Sequence, residues 1–98
     1  MQIDYKTRKL EKVCTIAYEA EKQYGREMAE KIQHRIDEIA SASSVEMMLQ
    51  FRIGRCHLLK GNRKNQYAVD WVHPYRLVFE KCEDEIQIAY ITEIVDYH

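Results

Sequence analysis

Glycine and proline are scarce in this chain, with three glycines and one proline among 98 residues. Flexible linkers, collagen-like repeats and low-complexity tracts are rich in those residues, so their scarcity excludes these classes. Cysteine is sparse as well. Cys14, Cys56 and Cys82 are odd in number and far apart, whereas a disulfide framework is usually even and dense, so three reduced thiols are expected. No Cys-x-x-Cys or His-x-x-x-His spacing occurs, and no metal or other cofactor is expected. Long apolar runs are missing too: nothing approaches the roughly 20 residues needed to cross a bilayer. No apolar stretch follows Met1-Gln2-Ile3-Asp4-Tyr5-Lys6 as it would in a secretory leader. The expectation is a cytoplasmic chain with no membrane partner.

What is present suffices for one core. Apolar residues make up 46% of the chain, and its length suits a single domain over residues 1–98 and is too short for two. The net charge of −1 conceals an uneven distribution. Residues 1–25 carry five basic and four acidic side chains, residues 26–46 three and five, and residues 70–98 two and seven. Between them, residues 47–69 carry Arg52, Arg55, Lys60, Arg63 and Lys64, together with His57, and no acid at all. A basic stretch concentrated in an otherwise acidic chain is the electrostatic footprint of a phosphate-bearing partner, although a solvated basic loop would read the same way.

Apolar spacing divides the chain into a helical first half and a strand-rich second half, which predicts an α+β domain. Ile3 and Tyr5 alternate with polar neighbours as a short strand would. From Leu10 the spacing turns helical: Leu10, Val13, Cys14, Ala17, Tyr18 and Tyr24 fall on one stripe, and Gly25 is the expected stop. A second helix over residues 26–42 places Met28, Ala29, Ile32, Ile36, Ile39 and Ala40 on one face and Glu30, Lys31, Arg35 and Glu38 mainly on the other. Together the two read as a helical hairpin. Ser43 followed three residues later by Glu46 has the capping-box spacing and predicts a further short turn through Met47 and Met48. These methionines and the first-helix tyrosines are expected in the core.

After Phe51 strands take over. Tyr67, Val69 and Trp71 alternate, His73-Pro74 breaks the run, and Tyr75, Leu77 and Phe79 resume it. Glu83-Asp84-Glu85 reads as a hairpin turn. Residues 86–95, apolar on both parities, read as an interior strand. The predicted order is β-α-α-β-β-β, a two-helix hairpin packed on an antiparallel sheet.

Two clusters could carry chemistry. In His57-Leu58-Leu59-Lys60-Gly61-Asn62-Arg63-Lys64 a short apolar strand runs into a basic turn, and the chain ends Asp96-Tyr97-His98. An extended end would point Asp96 and His98 to one face and Tyr97 to the other. Cleavage of RNA by its own 2′-hydroxyl needs a base for that hydroxyl, cations for the charge growing on the phosphate, and an acid for the departing 5′-oxygen. Histidine suits both proton roles, and lysine and arginine suit the phosphate. Residues 57–64 and 96–98 contain these types, and Arg76 on the intervening strand adds a cation. Each also has a structural explanation: a hydrogen-bonded surface histidine, a frayed terminus, or an Arg76 paired with Asp70 or Glu80 across a hairpin. His34 and His73 read as a solvent-facing and a turn residue.

Taken together, these segments resemble the HigB toxins, the plasmid-maintenance killer proteins of the RelE/ParE superfamily. Tyr5-Lys6-x-Arg8-x-Leu10 resembles that family's opening stretch, and Ser44-Val45-Glu46-Met47-Met48 the end of its helical half. His57-x-x-Lys60-Gly61-x-Arg63-Lys64 is similar to its central motif, Tyr75-Arg76-Leu77-Val78-Phe79-Glu80 to its aromatic-Arg strand, and Asp96-Tyr97-His98 to its closing tripeptide. Leu58 departs from the family, many of whose members have proline after the histidine. The resemblance implies a microbial RNase (RelE-like) fold, and a type II toxin that cuts messenger RNA on the ribosome and so blocks translation. It also implies a HigA-like helix-turn-helix antitoxin partner, and through it an indirect link to operator DNA.

Carried over by position, the catalytic candidates are His57, Lys60, Arg76, Asp96, Tyr97 and His98, with Arg52, Arg55, Arg63 and Lys64 binding RNA. His57 and His98 would move protons, Asp96 would orient a histidine, Lys60 and Arg76 would hold the phosphate, and Tyr97 would position RNA. Two rivals share the fold without the chemistry: a ParE-like toxin that inhibits DNA gyrase by binding, and a degenerate toxin retained as an antitoxin-bound co-repressor.

Overall fold

Thr7 opens the helical half as a cap. In the computed structural model, which describes residues 1–61, 65–72, 74–82 and 87–96, its Oγ1 accepts a hydrogen bond from the Leu10 amide at 3.1 Å. That bond satisfies one of the amides a helix leaves unpaired at its start. Strand β1 (Gln2–Tyr5) precedes it, and helices α1 (Arg8–Thr15), α2 (Ala17–Tyr24), α3 (Arg26–Ser41) and α4 (Val45–Gln50) follow. A tight turn at Ile53–Arg55 then leads into β2 (His57–Leu58), β3 (Gln66–Asp70), β4 (Tyr75–Cys82) and β5 (Ile88–Asp96).

The single helix expected before Gly25 is two helices. Ile16 has extended backbone (φ −117°, ψ 108°) between them, at a β-branched Thr15-Ile16 pair that favours extended backbone more than a helix interior does. The break resets the helical phase, so the expected stripe does not run through. Val13 and Cys14 are buried, Ala17 and Tyr18 are exposed, and Ala20 takes the next inward position. Tyr18, 68% exposed, is therefore not the core residue its spacing suggested. Tyr24 is half-buried, packed edge-on against Trp71 and Tyr75 with ring centroids 5.0 and 5.4 Å away. Gly25 does end α2 at a positive φ of 92°, but its ψ of 165° takes it out of the left-handed helical region into one that only glycine readily adopts.

Helix α3 buries Ala29, Ile32, Ile36 and Ile39 along one stripe, as its spacing predicts, with Met28 half-buried beside them; Ala40, expected on the same face, is exposed near the helix end. For α4 the capping residue is Ser44, not Ser43: Ser44 Oγ accepts from the Met47 amide at 3.0 Å. That shift frees Glu46 from a capping-box role and turns it to the sheet. Its carboxylate accepts from Gln87 Nε2 at 2.9 Å and Lys81 Nζ at 3.0 Å, while Gln87 Oε1 accepts from the Val45 amide at 2.8 Å. The Gln87 amide, Glu46's own backbone N–H and Lys81 together hold the carboxyl down at about 2. These bonds fix α4, and with it the turn that follows, against the ends of β4 and β5.

The sheet has the order β1-β5-β4-β3-β2. Strands β3 to β5 form the expected antiparallel meander, and the short apolar stretch at His57 joins it as β2, an edge strand that gives the sheet five strands where the β-α-α-β-β-β order has four. The expectation of a wholly antiparallel sheet fails at β1, which pairs with β5 in parallel from Gln2↔Ile88 to Tyr5↔Ile91. Local alternation marks a strand without naming its partner, and only a long crossover, here the helices and the meander, permits a parallel neighbour. That pairing makes β5 an interior strand, as its two-sided apolar pattern suggests. The result is an α+β architecture with helices packed on a mixed sheet.

Register assigns the two faces. Val69, Trp71, Leu77, Phe79, Ala89 and Ile91 join the helices in the core. Directly opposed residues share a face, so His57 opposite Ala68, Ala68 opposite Val78, and Asp70 opposite Arg76 occupy the other one.

Candidate functional site

The turn after α4 is built against backbone preference. Arg52 sits in the left-handed region (φ 53°, ψ 40°), Gly54 has φ 56° and Arg55 φ 55°. Such a position at a helix end usually falls to glycine. Side chains held there cost of order 1–3 kcal/mol each, a strain that clusters at functional sites. Successive tight hydrogen bonds hold the turn: Arg52 N–H to the Leu49 carbonyl at 3.3 Å, Arg55 N–H to Arg52 at 3.0 Å, and Cys56 N–H to Ile53 at 2.9 Å.

The turn walls a cleft of about 500 Å³ lined by Leu49, Arg52, Arg55, Cys56, His57, Asp70 and Arg76. Among the described residues, three arginines and a histidine thus line the cleft with a single carboxylate. Asp70 ends β3 directly opposite Arg76 on β4. Arg76 Nε lies 3.0 Å from Asp70 Oδ1, and Arg55 Nε lies 3.5 Å from Oδ2. Asp70 Oδ1 is buried and receives no aligned hydrogen bond, so its contact with Arg76 is an ion pair rather than a directed bond. The pairing of Arg76 with Asp70 across the hairpin is the structural role its sequence position suggests.

His57 lines the same cleft from β2. Its Nδ1 lies 3.0 Å from the Arg55 carbonyl oxygen. A carbonyl only accepts, so Nδ1 donates, and the neutral ring keeps its lone pair on Nε2. Cys56, next along the chain, is buried, and burial pushes its thiol up to about 11. It is therefore a protonated packing group at neutral pH and not a nucleophile.

Beneath the cleft lies a residue that the sequence does not mark. Arg35, on the face of α3 expected to be solvated, is half-buried; its Nε donates to the Asp70 carbonyl at 2.7 Å and its guanidinium pairs with Glu38. The same side chain fills the space beside Gly54, where a Cβ would come within 2.9 Å of Arg35 Nε. Helix α3 thereby braces both the strained turn and the end of β3. His34, its neighbour, is exposed and 3.6 Å from Glu38, in keeping with a solvent-facing residue.

Of the site residues expected from the sequence, the structure gathers Arg52, Arg55, His57 and Arg76. Lys60 and Asp96 are not among the side chains lining the cleft. Lys60 is exposed two residues beyond β2. Asp96 is exposed and opposes Tyr75, while its neighbour Val95 opposes Arg76. Strand alternation therefore sets Asp96 and Arg76 on different faces. Arg63, Lys64, Tyr97 and His98 lie outside the described residues, as do His73 and the Glu83-Asp84-Glu85 turn. A further cleft, of about 570 Å³ between α1 and α2, is lined by Arg8, Lys9, Lys12 and Lys22 with Glu19, and holds no histidine. Among the described residues, no three His, Cys, Asp or Glu side chains are grouped to hold a metal ion. No helix among them is long and apolar enough to cross a membrane.

No protein-family model matches the chain, and no curated protein does. Among solved structures, a YoeB/ParE toxin from Agrobacterium tumefaciens is similar in fold. The match covers 100% of both chains with a TM-score of 0.66 and 15% sequence identity.

Proposed function

We propose that this chain is the toxin of a type II toxin-antitoxin pair, a HigB-like endoribonuclease that cuts messenger RNA on the ribosome. The observation that carries the reading is the cleft, where His57 and the arginines Arg52, Arg55 and Arg76 meet on one side of the sheet. Its support comes from two further directions: a fold shared end to end with a protein described as a toxin, and the HigB-like motifs of the sequence.

In the proposed reaction the 2′-hydroxyl of RNA loses its proton and attacks the adjacent phosphorus. The bond to the 5′-oxygen breaks, and that oxygen takes up a proton as it leaves. His57 fits the first step, because its Nδ1 hydrogen is committed to the Arg55 carbonyl and Nε2 can accept. Arg76 and Arg55 neutralise the charge gathering on the phosphate. On the sequence resemblance alone, His98 supplies the leaving-group proton, Lys60 joins the arginines on the phosphate and Tyr97 positions the RNA; Asp96, on the face away from Arg76, is assigned no step. Arg52, Arg63 and Lys64 hold the RNA backbone. The partners are a HigA-like antitoxin with a helix-turn-helix domain, which links the toxin to operator DNA, and the ribosome with its messenger.

The test is a translation reaction with purified protein and ribosomes, in which the messenger is mapped for cuts. Ribosome-dependent cuts are expected. Intact messenger together with blocked DNA supercoiling would overturn the reading in favour of gyrase inhibition. Intact messenger with retained antitoxin binding would identify a co-repressor.

A further inference from the structure

Among the described residues Asp70 is the one carboxylate lining the cleft, and three arginines converge on it from three elements. Arg35 of α3 takes its carbonyl at 2.7 Å, Arg76 of β4 lies 3.0 Å from Oδ1, and Arg55 of the strained turn lies 3.5 Å from Oδ2. An anion in the middle of a site proposed to receive an anion calls for an explanation. As a stabilising pair the arrangement is weak: Arg55 is 82% exposed, where ion pairs contribute little, and Oδ1 lacks an aligned donor despite its burial. As an organising device it is well placed. Arg35 fixes the backbone of Asp70 and packs against Gly54, so the strand end that carries the carboxylate and the turn bearing Arg55 are tied to one side chain. The carboxylate is a planar, two-oxygen acceptor that two arginines can share, much as they would share the oxygens of a phosphate.

We propose that Asp70 is a positioning residue that holds Arg55 and Arg76 oriented for a phosphodiester while its own charge weakens the binding of that phosphodiester. Resting on the phosphate-binding reading of the cleft, the proposal separates two quantities that a structural ion pair would move together. Asp70→Asn keeps the shape and removes the charge. The cleft then attracts RNA more strongly, and its arginines are less well aimed.

The experiment compares wild type, Asp70→Asn and Asp70→Glu in three measurements. These are anisotropy of a fluorescent single-stranded RNA oligonucleotide across a salt series, messenger cleavage in the translation reaction, and the melting temperature. Asp70→Asn is expected to bind the oligonucleotide about 3- to 10-fold tighter. Its log Kd against log salt should steepen by about 0.7, the slope of one newly uncompensated cation on a single strand. Cleavage at saturation should fall at least ~10-fold, the consequence of misaimed phosphate ligands. Asp70→Glu, which keeps the charge and displaces it by a methylene, should bind like wild type and cleave more slowly. Binding by Asp70→Asn that is unchanged or weaker would overturn the proposal, and so would cleavage at the wild-type rate. If Asp70→Asn does not fold, Asp70→Glu decides: wild-type binding with slowed cleavage supports the role, and parallel loss of both overturns it. Should the wild-type chain cut no messenger, the proposed function fails, and the binding and salt comparison still decides whether Asp70 restrains the cleft.

Discussion

On the helix-covered face of the sheet, Val69, Leu77, Phe79, Ala89 and Ile91 are fully buried and every one is apolar. On the other face the same strands carry Asp70 and Arg76, with His57 beside them, over the buried pair Ala68 and Val78. Successive strand residues point to opposite sides, so Val69 and Asp70, or Arg76 and Leu77, are neighbours in sequence with unrelated surroundings. One face excludes water, and its contribution is stability. The other retains charged groups at partial exposure, where they can meet a ligand. Substitutions should therefore divide cleanly by face, and the predictions that follow are chosen to break that division if it is wrong.

The largest separation is expected at the histidines. His57→Ala and His98→Ala should each lower messenger cleavage by roughly two to four powers of ten, the range for a lost proton-transfer group, with the melting temperature unchanged. Near-normal cleavage by either variant would remove that histidine from the chemistry.

Phe79→Ala should do the reverse, costing about 3–5 kcal/mol of stability through a core cavity, read from urea unfolding. Specific activity of the fraction that remains folded should stay close to wild type. A Phe79→Ala protein that is fully folded yet inactive would show that the faces are coupled.

Gly54→Ala sits between the two cases. Its φ of 56° suits few side chains, and the new Cβ would press on the Arg35 guanidinium. A loss of about 1–2 kcal/mol is expected from the left-handed backbone alone, accompanied by weaker oligonucleotide binding as Arg55 and Asp70 lose their brace. Unaltered binding alongside the stability loss would show that Arg35 does not brace the cleft.

The smallest effect concerns Glu46, away from the cleft. Its folded pKa of about 2 lies below the ordinary 4.5. A lowered carboxyl pKa adds stability above the unfolded value, and that stability drains away as pH falls from 4.5 toward 2. Glu46→Gln should therefore be less stable than wild type at neutral pH, with the deficit closing across that acid window. A deficit independent of pH would mean that the bonds to Lys81 and Gln87 contribute by packing and not by charge.

Much of the cleft was visible in the chain. The acid-free stretch at residues 47–69 contains Arg52, Arg55 and His57, all of which line it. The Trp71-to-Tyr75 hairpin made Asp70 a candidate partner for Arg76, because a short turn dictates which residues face each other. Arg35 was not visible. It lies 35 residues before the carbonyl it binds, and its helical spacing marked it only as polar. The helix break at Ile16 was hidden for a related reason: apolar spacing across it still fits one stripe until the phase is reset.

The amino-acid sequence by itself determined what local chemistry can decide: that a helical half precedes a strand-rich half, which stripe of α3 buries, that Gly25 ends a helix, and that one segment is basic. Those outcomes depend on backbone preference and on side chains within a few residues of one another. Only the tertiary structure decided that β1 lies parallel to β5, that Asp96 falls on the face away from Arg76, and that Arg35 and Asp70 bind a strained turn to the end of a strand. Each depends on which distant segments pack together. That choice is set by burial of the whole apolar surface and by strand register, where one residue of offset exchanges a side chain's face.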